Sequence, residues 1–387
     1  MKPLLVHVTT ADISLELLLG PQLSAYRSAG FDVVGVSAPG PFVDDVTARG
    51  VRHIPLDNAT RAMDPSSDAR ALLELIRLFR YLRPTIVHTH NPKPGLYGRI
   101  AARAAQVPVV VNTVHGLYAT GDDRLRKRAV VYGLERIASC ASDAELIQNV
   151  EDLGLLRSLL RVPTSKLTLL GNGVDLARFN TERSAGMRPE IRAELGIDDD
   201  AVVVGAVGRL VEEKGYRELL TAWSEVSAAH PEAVLVVVGP HDAQKADALD
   251  PELVRSAEQQ GVRFLGMRDD VERLYGAMDM YVLASHREGF PRSAMEAAAA
   301  GLPIIATDIR GCRQVVDDGR NGRLVPVRDA AALGAAMREL LADPAQRAAF
   351  GAAGAERAVQ EFDQEAIIAT TLATYRRLMV ASGIAPP

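Results

Sequence analysis

Residues 284–327 read ASHREGFPRSAMEAAAAGLPIIATDIRGCRQVVDDGRNGRLVPV, and two kinds of element follow one another inside them. SAMEAAAA is helical by propensity, and Gly301 with Pro303 ends it. LPIIATDI and GRLVPV are short apolar runs of strand length. The loop Glu288-Gly289-Phe290-Pro291 leads into the helix, and Pro291 suits the first helical position, where its missing N–H has no intrahelical partner to lose. The amides of Arg292 and Ser293 then point out of a helix N-terminus, a place that favours an anion. Glu288 sits on the loop, and Glu296, after a gap of seven residues, lies more than a turn into the helix. Two readings fit. One is a surface loop and an Ala-rich core helix with two solvated glutamates; the other is a cradle for a sugar linked to a nucleotide.

The alternation of apolar runs with amphipathic stretches extends outward over the whole chain, the sign of an α/β protein with parallel sheets. LLVHVTT, FDVVGVSA, TIVHTHN, VPVVVNTVHG, DAELIQNV and KLTLLGNGVD form a first strand series. AVVVGAVGRL, AVLVVVGP, VRFLGM, DMYVLAS, LPIIATDI and GRLVPV form a second. The polar stretch NTERSAGMRPE (180–190) reads as the boundary between two doubly wound, Rossmann-like domains, 1–180 and 190–362. QEAIIATTLATYRRLMVAS, within 363–387, is one long helical pattern expected to cross back onto the first domain. In such sheets ligands sit outside the carboxyl ends of the strands, and the natural site is a cleft between two facing domains.

Composition narrows the class. The 387 residues are 48% hydrophobic and 24% charged with a net charge of −5, ordinary for a globular enzyme and unlike a nucleic-acid binder. Residues 1–180 carry 21 Lys and Arg against 17 Asp and Glu, so the surplus of acid lies in the rest of the chain. That basic half suits anionic lipid or a pyrophosphate-linked acceptor, or is a chance asymmetry of a few charges. Cys140 and Cys312 have no metal-ligand spacing and read as small buried apolar residues in a reducing compartment. Neither a signal peptide nor a membrane-spanning run is recognisable. The expected location is cytoplasmic, at most peripheral on the inner face of the membrane.

The loop after the first strand, TTADIS, has no G-x-G-x-x-G, and GAVGRL does not match it either, which disfavours nicotinamide and flavin cofactors. Arg209, in Gly208-Arg209-Leu210, and Lys214 follow the first strand of the second series, on the same sheet edge as the 288–296 loop. Two cations there suit a diphosphate. His88 and His90 point the same way along one strand; they are a metal pair lacking a visible third ligand, or one packed and one site-lining side chain. Asn91, Lys93 and Tyr118 fall on loops at the same edge and are candidate acceptor contacts. The helical stretch 68–83 mixes Arg70, Arg77, Arg80 and Arg83 with more apolar residues than a narrow core stripe needs. With Arg124, Arg126, Lys127 and Arg128 it is either a membrane-facing surface or a buried helix with solvated arginines.

GRLVEEKG together with EGFPRSAMEAAAAGLPIIATDIRGCRQVVDDGRNGRLVPV resembles the donor domain of retaining glycosyltransferases of family 4, with the GT-B fold. IVHTHNPKPGLYGRIAARAAQVPVVVNTVHGLYAT and LLGNGVDLARF resemble the bacterial capsule and exopolysaccharide branch of that family. The resemblance covers nearly the whole chain. It implies that Arg209 and Lys214 hold the donor diphosphate, that Glu288 contacts the donor sugar near the reacting carbon, and that Glu296 bonds the ribose hydroxyls. It also implies that Gly289, Phe290, Pro291, Arg292 and Ser293 form the helix start that receives a phosphate. Leu265, Gly266 and Met267 match the place of the base, and His115 a histidine near the transferred sugar. Two departures stand out: Thr9-Thr10-Ala11-Asp12 replaces a frequent glycine-rich loop, leaving Thr10 as the donor contact there, and Pro291 replaces a frequent glycine.

The expected activity is metal-independent, retaining transfer of a sugar from a nucleoside diphosphate, a UDP-sugar, to an acceptor hydroxyl, with no cofactor. The acceptor expected is a polyprenyl-diphosphate-linked saccharide in surface polysaccharide synthesis. A sugar-nucleotide epimerase of the same architecture and a non-catalytic nucleotide-sugar-binding subunit are the alternatives.

Overall fold

The computed structural model describes residues 2–387 apart from 61–63, 91, 120–122 and 242–246. The chain divides into two compact units, Met1–Gly171 with Ala366–Pro387, and Asn172–Glu365.

The first unit holds seven parallel strands: β1 (Leu4–Ala11), β2 (Asp32–Ala38), β3 (Arg52–Pro55), β4 (Ile86–His90), β5 (Val109–Val114), β6 (Ala144–Ile147) and β7 (Leu167–Leu169), in the order β3-β2-β1-β4-β5-β6-β7. Helices cover both faces, which is why the central strands read as continuous valine and isoleucine runs rather than alternating ones. Val6, Val34, Val87 and Val110 pack on one face with Leu75, Phe79 and Ala101. Leu5, Val33, Ile86 and Val109 pack on the other with Leu15 and Leu23. Tyr375, Leu378 and Met379 of the C-terminal helix Gln364–Ala381 are part of that second core, so the end of the chain is built into the first unit.

The second unit holds β8 (Val202–Val207), β9 (Ala233–Val238), β10 (Arg263–Phe264), β11 (Met280–Leu283), β12 (Ile304–Thr307) and β13 (Gly322–Val325), in the order β10-β9-β8-β11-β12-β13, again all parallel. Each sheet therefore reverses its winding once, between β1 and β4 and between β8 and β11. Those two reversals, at the carboxyl ends of the strands, are where doubly wound sheets bind ligands.

Three expectations change. Residues 180–190 are no linker but the start of helix Thr181–Leu195, capped by the Asn180 side chain accepting from the Arg183 amide at 2.9 Å. Its polar residues are used in packing: Arg188 and Arg192 reach the Asp279 carboxylate at 2.5 and 2.6 Å. The chain passes between units at Gly171 and Asn172 instead. β3 adds an edge strand that the apolar runs did not mark, because Arg52 and Pro55 are exposed. Cys140, expected to be buried, is exposed at the end of helix Leu125–Ser139, whereas Cys312 is buried. Among the described residues no helix is long and apolar enough to cross a membrane.

Candidate active site

In the second unit the functional side chains gather at the winding reversal. After β8 the chain runs through Arg209, half-buried, into the single turn Glu212–Lys214. Gly215 closes that turn at φ +70°, and a Cβ there would lie 1.9 Å from the Ala284 carbonyl oxygen. Only glycine lets the turn press against the end of β11. The contact brings Lys214 Nζ within 2.6 Å of Glu288 Oε1, and the Ser285 hydroxyl donates to the same oxygen at 2.8 Å. Gly311 backs the loop from the other side, where a Cβ would meet the Glu288 carbonyl oxygen at 2.6 Å. Lys214 and Glu288 keep side-chain exposures of 23% and 13%, so the pair is positioned yet open to a ligand.

Helix Arg292–Ala299 begins one residue later than expected. Pro291 is its extended N-cap (φ −72°, ψ 112°), not its first helical residue, and its carbonyl accepts the Met295 amide at 3.2 Å. The Ser293 hydroxyl accepts from Tyr281 at 2.7 Å. Glu296 accepts from the Tyr275 hydroxyl and from Arg292 Nε, both at 3.1 Å. Burial raises the Glu296 carboxyl above the ordinary carboxylate range, and Arg292 and Tyr275 oppose that rise. Phe290 stacks edge-on against Phe362 at 5.9 Å between ring centroids, and its carbonyl accepts from the Asn172 side chain at 3.4 Å. Half-buried Gly289 joins Glu288 to this anchored segment. On the loop after β10, Leu265 packs on the core, the Gly266 carbonyl accepts the Gly239 amide at 2.8 Å, and Met267 is 58% exposed.

The winding reversal of the first unit is made of histidines. β1 and β4 pair His7 with His88, and the two-residue repeat of the strand puts His90 on the same face. His7 Nδ1 lies 3.0 Å from His90 Nε2, and His90 Nδ1 lies 2.9 Å from His115 Nε2, on the loop after β5. His88 bonds the Tyr375 hydroxyl and, at 2.7 Å, the Thr113 hydroxyl. Burial holds all four imidazoles neutral: His7 falls to about 3, His115 to about 4, and His88 and His90 well below the ordinary value. His7 completes a group of three imidazoles that the spacing of His88 and His90 did not reveal, and the three rings bring one nitrogen each within 4.8 Å of one another. Those nitrogens are engaged with one another and with hydroxyls, and the His88 and His90 rings stack at 4.5 Å. A metal bound here would displace these hydrogen bonds.

Thr10 sits half-buried near the end of β1. Asp12, just after it, fixes the next turn by accepting the Ile13 and Phe42 amides at 2.9 and 2.7 Å. Lys93 is buried in an ion pair with Asp68 at 2.7 Å, Tyr118 is 47% exposed, and Asn91 lies outside the described residues. Sequence reasoning missed Ser285, which holds Glu288 from the same loop, and Tyr275 and Tyr281, which hold Glu296 and the helix start from other elements.

Residues 187–357 match the family model of glycosyl transferases group 1, and residues 23–178 match that of Glycosyltransferase Family 4. The chain belongs to glycosyltransferase family 4. This glycosyltransferase is 29% identical over 366 residues, 93% of each chain, to the capsular polysaccharide biosynthesis glycosyltransferase CapM of Staphylococcus aureus. It is 30% identical over 293 residues to the UDP-Gal:alpha-D-GlcNAc-diphosphoundecaprenol alpha-1,3-galactosyltransferase of Escherichia coli, covering 75% of this chain and 74% of the relative. Sucrose-phosphate synthase from Thermosynechococcus elongatus superposes with a TM-score of 0.82 at 23% identity, over 98% of this chain and 100% of that one. Its fold and that of this glycosyltransferase are the same, GT-B.

Proposed function

We propose that the protein is a retaining, metal-independent glycosyltransferase that moves a sugar from a UDP-sugar to a hydroxyl of a polyprenyl-diphosphate-linked saccharide, in surface polysaccharide synthesis. The observation that carries this reading is the Lys214–Glu288 pair at the reversal between β8 and β11, with Arg209 on the adjoining loop. Lys214 and Arg209 take the departing diphosphate, work that a cation does elsewhere, in a site already oriented before the charge develops. Glu288 leaves Lys214 for the donor sugar as the diphosphate arrives. The bond from the anomeric carbon to the diphosphate oxygen breaks, the acceptor oxygen bonds the same face of that carbon, and its proton passes to the leaving diphosphate. Glu296 accepts from the ribose hydroxyls, and Leu265 to Met267 flank the base. Kinship with a transferase whose name specifies UDP-Gal and a diphosphoundecaprenol acceptor supports the donor and acceptor classes. The test is the anomer formed. With an α-linked UDP-sugar and a lipid-diphosphate saccharide, proton NMR of the product is expected to show a new α-linkage; a β-linkage would refute the retaining course.

A further inference from the structure

Helices Pro65–Leu82, Lys93–Ala104 and Leu125–Ser139 surround a cavity of about 380 Å³ in the first unit, within the range of small-molecule sites. Most of its wall is apolar, with Leu72, Val131, Leu134 and Ile137 among the lining residues. One wall is a single helix face: Lys93, Leu96, Tyr97 and Ile100, spaced as i, i+3, i+4 and i+7. That face is graded. Its polar members stand in the first two turns, beside the carboxyl end of β4, and Ile100 lies further from that sheet edge.

Tyr97 is 5% exposed, and its hydroxyl is buried in this wall without a hydrogen-bond partner among the described residues. An unpaired buried hydroxyl is unfavourable and calls for an acceptor. Tyr118 stands at the rim, with Lys127 Nζ 5.5 Å from its ring centroid. On helix Leu125–Ser139, Leu125, Val130 and the lining residue Ile137 are 76%, 61% and 61% exposed, and exposed Arg124 and Arg126 flank the first of them. An apolar cavity with a buried hydroxyl in its wall, bordered by cations and exposed apolar side chains, matches a long hydrocarbon chain with an anionic head.

The geometry points to this cavity as the subsite for the polyprenyl chain of the acceptor. Tyr97 donates to a phosphate oxygen of the head, and the chain runs over Ile100 and Ile137 toward the membrane. The assignment rests on the transferase reading above and names where its acceptor is anchored.

Calorimetric titration of the full chain with geranylgeranyl phosphate, geranylgeraniol and inorganic phosphate tests it. Geranylgeranyl phosphate is expected to bind and inorganic phosphate is not. Ile137→Asp, at an exposed position, is expected to weaken lipid binding at least about tenfold, the effect of one apolar side chain. Ile100→Trp, which fills the cavity, should do the same with an unchanged circular dichroism spectrum. Tyr97→Phe should weaken the phosphate by about tenfold and leave the alcohol unaffected. Equal lipid binding by all three variants would overturn the proposal, as would binding of inorganic phosphate alone. So would self-association that Ile137→Asp abolishes in a chain that binds no lipid. UDP-sugar binding on the same samples keeps the two assignments apart: lipid binding without any donor binding would support the subsite and remove the transferase reading.

Discussion

At the winding reversal of the first sheet four imidazoles meet as neutral groups, while at that of the second a lysine and a glutamate meet as an ion pair. Both edges occupy the same topological place in their sheets. What separates them is solvation. His7, His88 and His90 are almost wholly buried, and burial alone is enough to strip an imidazole of its charge. Lys214 and Glu288 keep part of their surface exposed and hold each other. In the proposed reaction the partly exposed Lys214 is the group that takes the diphosphate. One fold, used twice, thus holds a neutral, hydrogen-bonded cluster at one edge and an ion pair at the other.

The comparison is sharpest at Lys214. Lys214→Met is expected to lower kcat by about 10²- to 10³-fold, the range for losing one preorganised partner of developing charge; steady-state release of UDP measures it. A loss below about threefold would place the charge work elsewhere.

The histidine edge should show itself in stability instead. Its folded-state values lie below the ordinary value of about 6.5, so below that pH the unfolded chain binds more protons than the folded one. Stability is therefore complete near neutrality and falls as the pH drops toward 4, with uptake of up to about four protons. Thermal melts between pH 7 and pH 4.5 give that slope, and His88→Gln should flatten it. Glu296 acts with the opposite sign: its raised value favours the fold in acid, and that contribution is lost as the pH rises through it.

Smaller effects refine the picture. In the proposed site Glu296 accepts from the ribose hydroxyls; Glu296→Gln exchanges one of its two acceptor oxygens for a donor, and the KM for the UDP-sugar should rise about tenfold with kcat nearly unchanged. Smallest of all is the expected effect of EDTA, which should leave turnover as it was; a loss restored by added Zn²⁺ or Mn²⁺ would turn the histidine edge into a metal site.

Much of this was readable beforehand, for physical reasons that mark the limits as well. Strands buried on both faces announce themselves as apolar runs, so the central strands of both sheets were visible. Edge strand β3, with Arg52 and Pro55 facing out, was not. Glu288, Pro291 and Glu296 sit close in sequence, and a loop followed by a helix start could be recognised from spacing. Tyr275 and Tyr281 fix Glu296 and the helix start from other elements, and nothing in their own neighbourhoods says so; Ser285 holds Glu288 from within the same loop. His7 joins His88 only through strand register. The polar stretch 180–190 misled because it opens a helix capped by Asn180, whose Arg188, with Arg192 further along, pairs with Asp279.

The charged edge of the second unit is the centre of this account, and Glu288 tests it most directly. Glu288→Ala should still bind UDP by calorimetry, because Lys214 and Arg209 remain, and should release UDP from the UDP-sugar at least about 10²-fold more slowly with acceptor present. Release at the normal rate by a folded, UDP-binding Glu288→Ala protein would contradict the assignment of this edge as the site of sugar transfer.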